Sequence, residues 1–113
     1  MKHIAVIPGD GIGKEVIAAG MDVLEAVSQI SSFQFEPEYV DIGSERYLRT
    51  GELLTDADID LLKSKDAIYF GAIGDPRVKP GVLEQGILLK MRAVFDQYIN
   101  LRPIKLYPNV ESP

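Results

Sequence analysis

Residues 3–16 read HIAVIPGDGIGKEV, a short aliphatic run that stops abruptly in a loop with three glycines. Residues 4–7 consist of Ile and Val with one Ala, and Pro8 ends the run, which is the pattern of a strand buried on both faces. A helix is predicted over residues 14–29, because apolar residues recur there at helical spacing: Ile17, Met21, Leu24 and Val27. A buried strand, a glycine loop and an amphipathic helix together form the opening unit of an α/β protein.

The remainder of the chain repeats this alternation of strands and helices. Further strands are predicted at residues 33–40, 66–71 and 97–105, and further helices at residues 44–48, 55–63 and 83–95. Thr55 and Asp58 form a capping box at the start of one of these helices, with Asp in place of the usual Glu. The alternation predicts a layered α/β fold with a parallel-rich sheet, in which residues 4–7 and 67–70 are the central strands.

The composition is that of an ordinary globular protein and excludes several classes of site. Hydrophobic residues make up 46% and charged residues 26% of the 113 residues, which is enough for one small domain with its own core. The absence of Cys excludes disulfides, Cys-ligated zinc and a Cys nucleophile, and the single His3 is interpreted as structural. No apolar run is long enough for a signal peptide or a membrane span, so we expect a cytoplasmic protein without a membrane partner.

The net charge of −5 is divided unevenly along the chain. Residues 1–75 contain 6 Lys and Arg against 14 Asp and Glu, whereas residues 76–113 contain 6 against 3. The acidic part argues against a nucleic-acid partner, which requires a basic face. The basic part has two interpretations, a local anion site and an ordinary solvated surface.

The glycine loop matches neither of the two common nucleotide-binding patterns. A Rossmann fingerprint needs a third glycine where this chain has Lys14. A P-loop needs four residues between its glycines, whereas only three separate Gly9 from Gly13, and Glu15 stands where Ser or Thr is required. Two interpretations remain for this loop and for residues 72–74 after a later strand: a ligand-binding loop, or a plain tight turn.

Arg92 and Arg102 are the candidate anion-binding residues of the basic part. On a regular helix, Gln85, Leu88, Arg92 and Asp96 share one stripe. Arg92 beside an apolar face can hold a carboxylate through two parallel hydrogen bonds. The alternative is an ordinary ion pair with Asp96, worth roughly 0.3–0.5 kcal/mol. Arg102 lies between apolar neighbours in a predicted strand, where a charge requires a partner.

Four segments in a fixed order make the chain resemble one known family. They are residues 7–16 (IPGDGIGKEV), 66–74 (DAIYFGAIG), 88–92 (LLKMR) and 95–103 (FDQYINLRP). Over essentially its whole length the chain resembles the β-decarboxylating dehydrogenases that act on 3-isopropylmalate, tartrate, D-malate and isocitrate. The resemblance implies an isopropylmalate-dehydrogenase-like fold, layered α/β but not Rossmann, and a homodimer whose active site lies between two domains. Residues 1–113 are then the N-terminal part of the first domain, running into an interdomain strand region near residues 98–113, with the second domain beyond.

The resemblance also implies roles for individual residues. Arg92 and Arg102 match two arginines that bind the substrate carboxylates, and Leu88 and Leu89 match positions that touch the variable group of the substrate. The positions that match the lining of the cofactor site are Ile12, Ala72, Ile73, Gly74 and either Glu84 or Gln85. The catalytic Tyr and Lys, a third Arg and the metal-binding Asp residues of the family are expected beyond residue 113. No catalytic or metal-binding residue is therefore assigned within this chain.

The implied reaction is an oxidative decarboxylation of a dicarboxylate 2-hydroxy acid. NAD⁺ accepts a hydride from the C2 alcohol, and a keto acid held on Mg²⁺ or Mn²⁺ then loses its β-carboxylate. The 113-residue chain by itself is expected to be inactive, and a non-catalytic, truncated anion-binding module is the alternative class.

Leu88 and Leu89 bear on which hydroxy acid is the substrate. Two leucines suit an isopropyl group, whose burial contributes on the order of 2 kcal/mol at about 0.8 kcal/mol per carbon. They offer nothing to the extra carboxylate of isocitrate. The prediction is therefore 3-isopropylmalate, in leucine biosynthesis. Tartrate and D-malate stay open as alternatives, because residues 66–70 and 95–98 resemble the enzymes for those substrates and apolar pockets reject smaller molecules weakly.

Overall fold

The computed structural model of the chain describes residues 1–113 and contains a three-stranded parallel sheet in the order β2-β1-β3. Its elements are β1 (Lys2–Gly9), α1 (Ile12–Ile30), β2 (Phe35–Tyr39), α2 (Ser44–Thr50), α3 (Asp56–Lys63), β3 (Ala67–Ala72), a π-helical segment (Glu84–Leu89) and α4 (Lys90–Val94). The predicted α/β architecture with parallel pairing is thus confirmed. No helix combines the length and the apolar character that a membrane crossing requires.

β1 is the centre of the molecule because both of its faces are covered. Ile4 and Val6 pack with Ile17 and Met21 of α1 in one cluster. Ala5 and Ile7 point to the opposite face and join a larger cluster, whose other buried members are Val40, Ile42, Leu54, Ile59, Leu62, Val78, Leu83, Ile87 and Met91. The residue alternation along a strand therefore sends successive aliphatic side chains into two different cores.

Most predicted elements are present with shifted ends. α1 begins at Ile12, two residues before the predicted start, and α2 continues to Thr50, where Gly51 ends it in a left-handed conformation (φ 76°). Pro37 lies within β2, which an edge strand tolerates because it need not donate to a second neighbour. β3 was predicted to be central and instead lies at the other edge of this sheet.

The strand predicted at residues 97–105 is wrong. These residues have no regular secondary structure and lie exposed, with Leu101 83% and Ile104 93% accessible. Their apolar pattern is typical of a strand, but a strand also needs a neighbouring backbone with which to exchange hydrogen bonds, and none lies beside this segment. Arg102 is consequently exposed too, so the expectation that it is a buried charge in need of a partner is also wrong.

The helix predicted at residues 83–95 forms, but not as a regular α-helix. Residues 84–89 are π-helical, and α4 continues from them to Val94. The chain then closes in a Schellman motif: Asp96 is left-handed (φ 51°), its N–H donates to the carbonyl of Ala93 at 3.2 Å, and the N–H of Gln97 donates to the carbonyl of Arg92 at 2.9 Å. Asp96 therefore lies outside the helix, which removes it from the stripe predicted for it.

A buried ion pair joins α2 to α3. Arg46 donates from Nη1 to Asp58 Oδ1 at 2.9 Å and from Nη2 to Asp58 Oδ2 at 2.6 Å, and its Nη2 also reaches the carbonyl of Leu53 at 2.5 Å. Both side chains are nearly buried, at 12% and 11% exposed. Asp58 additionally completes the predicted capping box, since its carboxylate accepts from the N–H of Thr55 while Thr55 accepts from the N–H of Asp58. One carboxylate thus caps α3 and anchors α2.

We predict that Asp58→Asn lowers the free energy of unfolding by about 3 kcal/mol, near the lower end for breaking a buried pair because Asn keeps one acceptor oxygen. Burial raises the pKa of Asp58, but the hydrogen bonds from Arg46 and Thr55 outweigh it and leave the pKa below its usual value of 3.8. Because the pKa of Asp58 is lower in the folded state than in the unfolded state, its ionisation stabilises the fold at pH values above the unfolded-state pKa. That stabilisation is lost as the pH falls through the folded-state pKa. Urea unfolding between pH 7 and pH 3 should show a smaller acid loss in the variant than in the wild type.

Thr55→Ala is the control, because it removes one capping bond and leaves the ion pair. It should cost only about 1 kcal/mol. Equal losses in the two variants would contradict the importance assigned to the buried pair.

Candidate functional site

Three loops meet at one edge of the sheet because β1, β2 and β3 are parallel and end on the same side. The chain leaves β1 into α1, which packs on one face through Ile17. After β3 it turns to the other face, where Val78 and Leu83 are buried. Where the connections of neighbouring strands part in this way, α/β proteins form the crevice in which they bind ligands. The candidate site therefore lies at the carboxyl end of β1, which the loops after β2 and β3 flank.

Asp10, the residue after β1, lines a hollow of about 280 Å³ on the β2 side of this crevice and is 5% exposed. From the loop after β2 it accepts the backbone N–H of Ser44 at 3.0 and 3.1 Å and the Ser44 hydroxyl at 2.6 Å. From the loop after β3 it accepts the N–H of Gly74 at 3.0 Å. The backbone N–H of Asp10 also donates to the carbonyl of Ala72 at 2.7 Å. One residue in the first loop thus holds the other two.

A second carboxylate, that of Asp75, extends this network towards solvent. Arg77 donates to it from Nε at 2.9 Å and from Nη2 at 2.7 Å, and reaches Glu45 of α2 at 3.1 Å. The hydroxyl of Ser44 lies 3.3 Å from Asp75 as well as 2.6 Å from Asp10. The Arg77 hydrogen bonds hold the pKa of Asp75 far below its usual range, with Ser44 as a lesser cause. The loop after β3 is therefore tied to the start of α2 by charged groups as well.

Glycines allow α1, β1 and β3 to approach each other closely below the crevice. A Cβ on Gly13 would lie 2.2 Å from the carbonyl oxygen of Pro8 and 2.6 Å from the nitrogen of Ala72. A Cβ on Gly71 would lie 2.3 Å from the same Pro8 oxygen. At Gly9, with φ 73°, a Cβ would lie 1.9 Å from the Ala72 oxygen. The glycine loop is therefore a tight strand-to-helix turn, and the space beneath it contains backbone and the Asp10 carboxylate.

The cofactor residues predicted by resemblance divide into two groups. Ile12, 67% exposed, begins α1, while Ala72 ends β3 and Ile73 and Gly74 follow it, so these four residues lie at the same edge of the sheet. A Cβ on Gly74 would meet nothing within 4 Å, which leaves its backbone open to a flat ligand. The two remaining candidates, at positions 84 and 85, are exposed on the π-helical segment, and no contact joins them to the crevice.

The substrate residues predicted by resemblance lie on the helix that begins with the π-helical segment and on the chain after it. Leu88 is half-buried, Leu89 is 50% exposed, and Arg92 is half-buried. Arg92 lines an open hollow of about 660 Å³ together with Asp96 and residues 97–101. Arg102 does not line it, and its Nε donates to the side chain of Asn100 at 3.3 Å. The convergence of Arg92 and Arg102 on one anion therefore stays a prediction.

Arg92 has no acidic partner. None of the ion pairs of the chain includes it, so the alternative ion pair with Asp96 is absent, although Asp96 lines the same hollow. The guanidinium of Arg92 is therefore available to an external carboxylate.

Asp10 and Ser44 were missed by the sequence analysis. A signal for Asp10 exists, because an acidic residue that directly follows a buried strand in a glycine loop is where a buried carboxylate can collect backbone N–H groups. Ser44 gives no such signal, since its contact with Asp10 spans 34 residues. No three His, Cys, Asp or Glu side chains of the chain are grouped to hold a metal ion.

Comparison with known proteins gives consistent matches along the chain. The family model described as isocitrate/isopropylmalate dehydrogenase matches residues 3–113. The chain is similar to the 3-isopropylmalate dehydrogenases of Streptomyces avermitilis (58% identity over 111 residues, 98% of this chain) and Streptomyces coelicolor (57%, 98%). It covers 32% of either relative, so it spans about a third of the length of the curated relatives that it matches.

Solved structures agree with these matches. The fold is similar to that of an apo β-decarboxylating dehydrogenase from Thermococcus kodakarensis, with a TM-score of 0.67, 32% identity and coverage of 87% of this chain and 28% of that one. It is also similar to isocitrate dehydrogenase from Methylococcus capsulatus, with a TM-score of 0.66, 25% identity and coverage of 84% and 26%.

We predict that Gly13→Ala destabilises the chain by about 1–3 kcal/mol, as overpacked sites do, because the new methyl group meets backbone that cannot move aside. Gly20→Ala is the matched control in the same helix, since there the nearest atom is the hydroxyl at the far end of Tyr69. Gly20 lies in the interior of α1, where Ala gains more helix propensity than in the first turn that contains Gly13. Thermal unfolding should show a larger loss for Gly13→Ala, and the reverse order would contradict the close packing of α1 on β3.

Proposed function

Because the chain belongs to the isocitrate/isopropylmalate dehydrogenase family, we propose that it is the N-terminal third of a 3-isopropylmalate dehydrogenase. The proposed reaction is the NAD⁺-dependent oxidation and decarboxylation of a 2-hydroxy acid. The observation that carries the proposal is the 54–58% identity to relatives with that name along nearly the whole chain. We also propose that the full-length protein is a cytoplasmic homodimer.

The proposed substrate contacts begin with Arg92. Its guanidinium has no acidic partner and lines an open hollow, so it can bind a carboxylate through two parallel hydrogen bonds. Leu88 and Leu89 precede it on the same helix and remain partly accessible, as side chains that receive an isopropyl group must be. We propose that Arg102 supplies a second carboxylate contact from residues 98–113, the proposed interdomain region.

The proposed cofactor surface consists of Ile12 and residues 72–74, with Glu84 or Gln85 contributing from the π-helical segment. The open backbone at Gly74 and the exposed Ile12 fit a flat ring that approaches the end of the sheet. A nicotinamide bound there would supply a hydride acceptor, and Mg²⁺ or Mn²⁺ would supply electrostatic stabilisation of negative charge on the substrate. The metal ligands are proposed to lie beyond residue 113. Within this chain the residues bind and orient; Arg92 fixes the substrate so that its C2 hydrogen faces the cofactor surface.

We predict that the full-length protein, assayed with NAD⁺ and Mn²⁺, has its highest kcat/KM on 3-isopropylmalate. Isocitrate should be at least about tenfold poorer, because its extra carboxylate would be buried against leucine without a partner. The 113-residue chain of verified mass is the control and should show no turnover. A preference for D-malate or tartrate would establish the alternative substrates. A preference for isocitrate would contradict the role of Leu88. No turnover of the full-length protein on any of these compounds would favour the alternative class, a non-catalytic module.

We predict that Arg92→Lys lowers kcat/KM of the full-length protein by about ten- to a hundredfold, the loss expected for one charge-assisted hydrogen bond of about 1.5–3 kcal/mol. Lys keeps the charge but not the planar fork. Arg49→Lys is the control, because Arg49 is exposed and pairs only with Asp41 at the surface. Wild-type kinetics for Arg92→Lys would show that Arg92 does not bind the substrate.

A further inference from the structure

We propose that Asp10 is a positioning residue for the cofactor, holding residues 72–74 in the shape that receives it. The inference rests on the proposed function, because it takes residues 72–74 as part of the cofactor surface. Asp10 touches this loop at both ends: its N–H donates to the carbonyl of Ala72 at 2.7 Å, and its carboxylate accepts the N–H of Gly74 at 3.0 Å. These two bonds hold the segment from Ala72 to Gly74 against the end of β1.

The chemistry of the Asp10 carboxylate separates it from an ordinary buried charge. It is 5% exposed, yet no Lys, Arg or His forms an ion pair with it. A buried carboxylate without a cation is costly unless its oxygens collect hydrogen bonds. All of its donors are neutral groups of Ser44 and Gly74. The carboxylate is therefore fully hydrogen-bonded only while both loops stay in place, which makes it a coupling between them.

Ser44 supplies the rigid side of this coupling. It begins α2, is 1% exposed, and donates both its N–H and its hydroxyl to Asp10. The preceding Gly43 is needed for the approach, because a Cβ there would lie 2.9 Å from Asp10 Oδ1. Gly74, by contrast, is exposed and its backbone faces open space. Asp10 thus links the buried start of α2 to the exposed loop after β3 by hydrogen bonds.

Asp10→Asn tests the coupling while conserving size. An amide has one acceptor oxygen in place of two and no charge, so the four hydrogen bonds that Asp10 accepts from Ser44 and Gly74 cannot all be kept. The backbone bond from position 10 to Ala72 remains, while the loop loses the charged acceptor at its Gly74 end. A role in positioning predicts weaker binding of the cofactor, whereas a purely structural role predicts lower stability with unchanged binding by the molecules that fold.

The experiment uses the full-length protein and measures KM for NAD⁺ and for 3-isopropylmalate, the Kd of NAD⁺ by calorimetry, and the thermal midpoint. Asp10→Asn should raise KM and Kd for NAD⁺ by about three- to tenfold, the effect of one lost hydrogen bond, with a change under about twofold in KM for 3-isopropylmalate. Asp58→Asn is the matched control: it also alters a buried, hydrogen-bonded carboxylate, but in the contact between α2 and α3. It should lower the thermal midpoint and leave both KM values unchanged.

Ser44→Ala carries the same test if Asp10→Asn does not fold, since it removes the short hydroxyl bond to Asp10, with the longer contact to Asp75, and keeps the backbone N–H donor. Its KM for NAD⁺ should rise while that of Thr55→Ala, which loses a hydroxyl cap of α3, does not. If the wild type is active and Asp10→Asn has unchanged KM and Kd for NAD⁺, the role of Asp10 is overturned while the proposed function stands. If Asp10→Asn is insoluble, unchanged values in Ser44→Ala have the same meaning. A wild type that neither turns over nor binds NAD⁺ overturns the proposed function and this inference together.

Discussion

The hydrogen bonds around the buried Asp10 carboxylate are the constraint on which the carboxyl edge of the sheet depends. They join the loops after β1, β2 and β3 through Ser44 and Gly74, and no cationic side chain forms an ion pair with the carboxylate. Because the strands are parallel, the three loops that follow them lie at the same edge of the sheet. The backbone N–H groups of these loops are outside the sheet and need other acceptors. A single carboxylate can satisfy N–H groups from several loops at once, which an apolar side chain cannot do. The shape of the crevice follows from that arrangement.

Close packing beneath the crevice complements these bonds. Gly13 and Gly71 let α1 and β3 approach the end of β1 to distances that a Cβ on either glycine would prevent. This explains why a loop rich in glycine need not be a phosphate loop, since here the missing side chains make room for backbone. Open backbone is found at Gly11 in this loop and at Gly74 after a different strand, where an added Cβ would meet nothing within 4 Å.

Two parts of the proposed site differ in how completely they are assembled. The cofactor surface around Ile12 and Gly74 belongs to loops that are held by several hydrogen bonds each. The substrate side has Arg92 in place on a helix, while Arg102 lies in an exposed segment without regular structure. The two arginines are on separate elements, so their convergence is a matter of tertiary packing around residues 97–113. Family membership supports that convergence as a proposal.

The sequence by itself determined the elements whose signals are local. Residues 4–7 have the continuous aliphatic run of a buried strand, residues 67–70 have a short apolar run, helical spacing marks α1, and Thr55 with Asp58 marks the start of α3. The family motifs also lie in contiguous segments, so the family was recognisable without a structure. Only the tertiary structure decided which strand is central, whether residues 97–105 pair as a strand, and what Asp10 contacts. Strand pairing and the Asp10–Ser44 bond join residues far apart along the chain, and local periodicity contains no information about such partners.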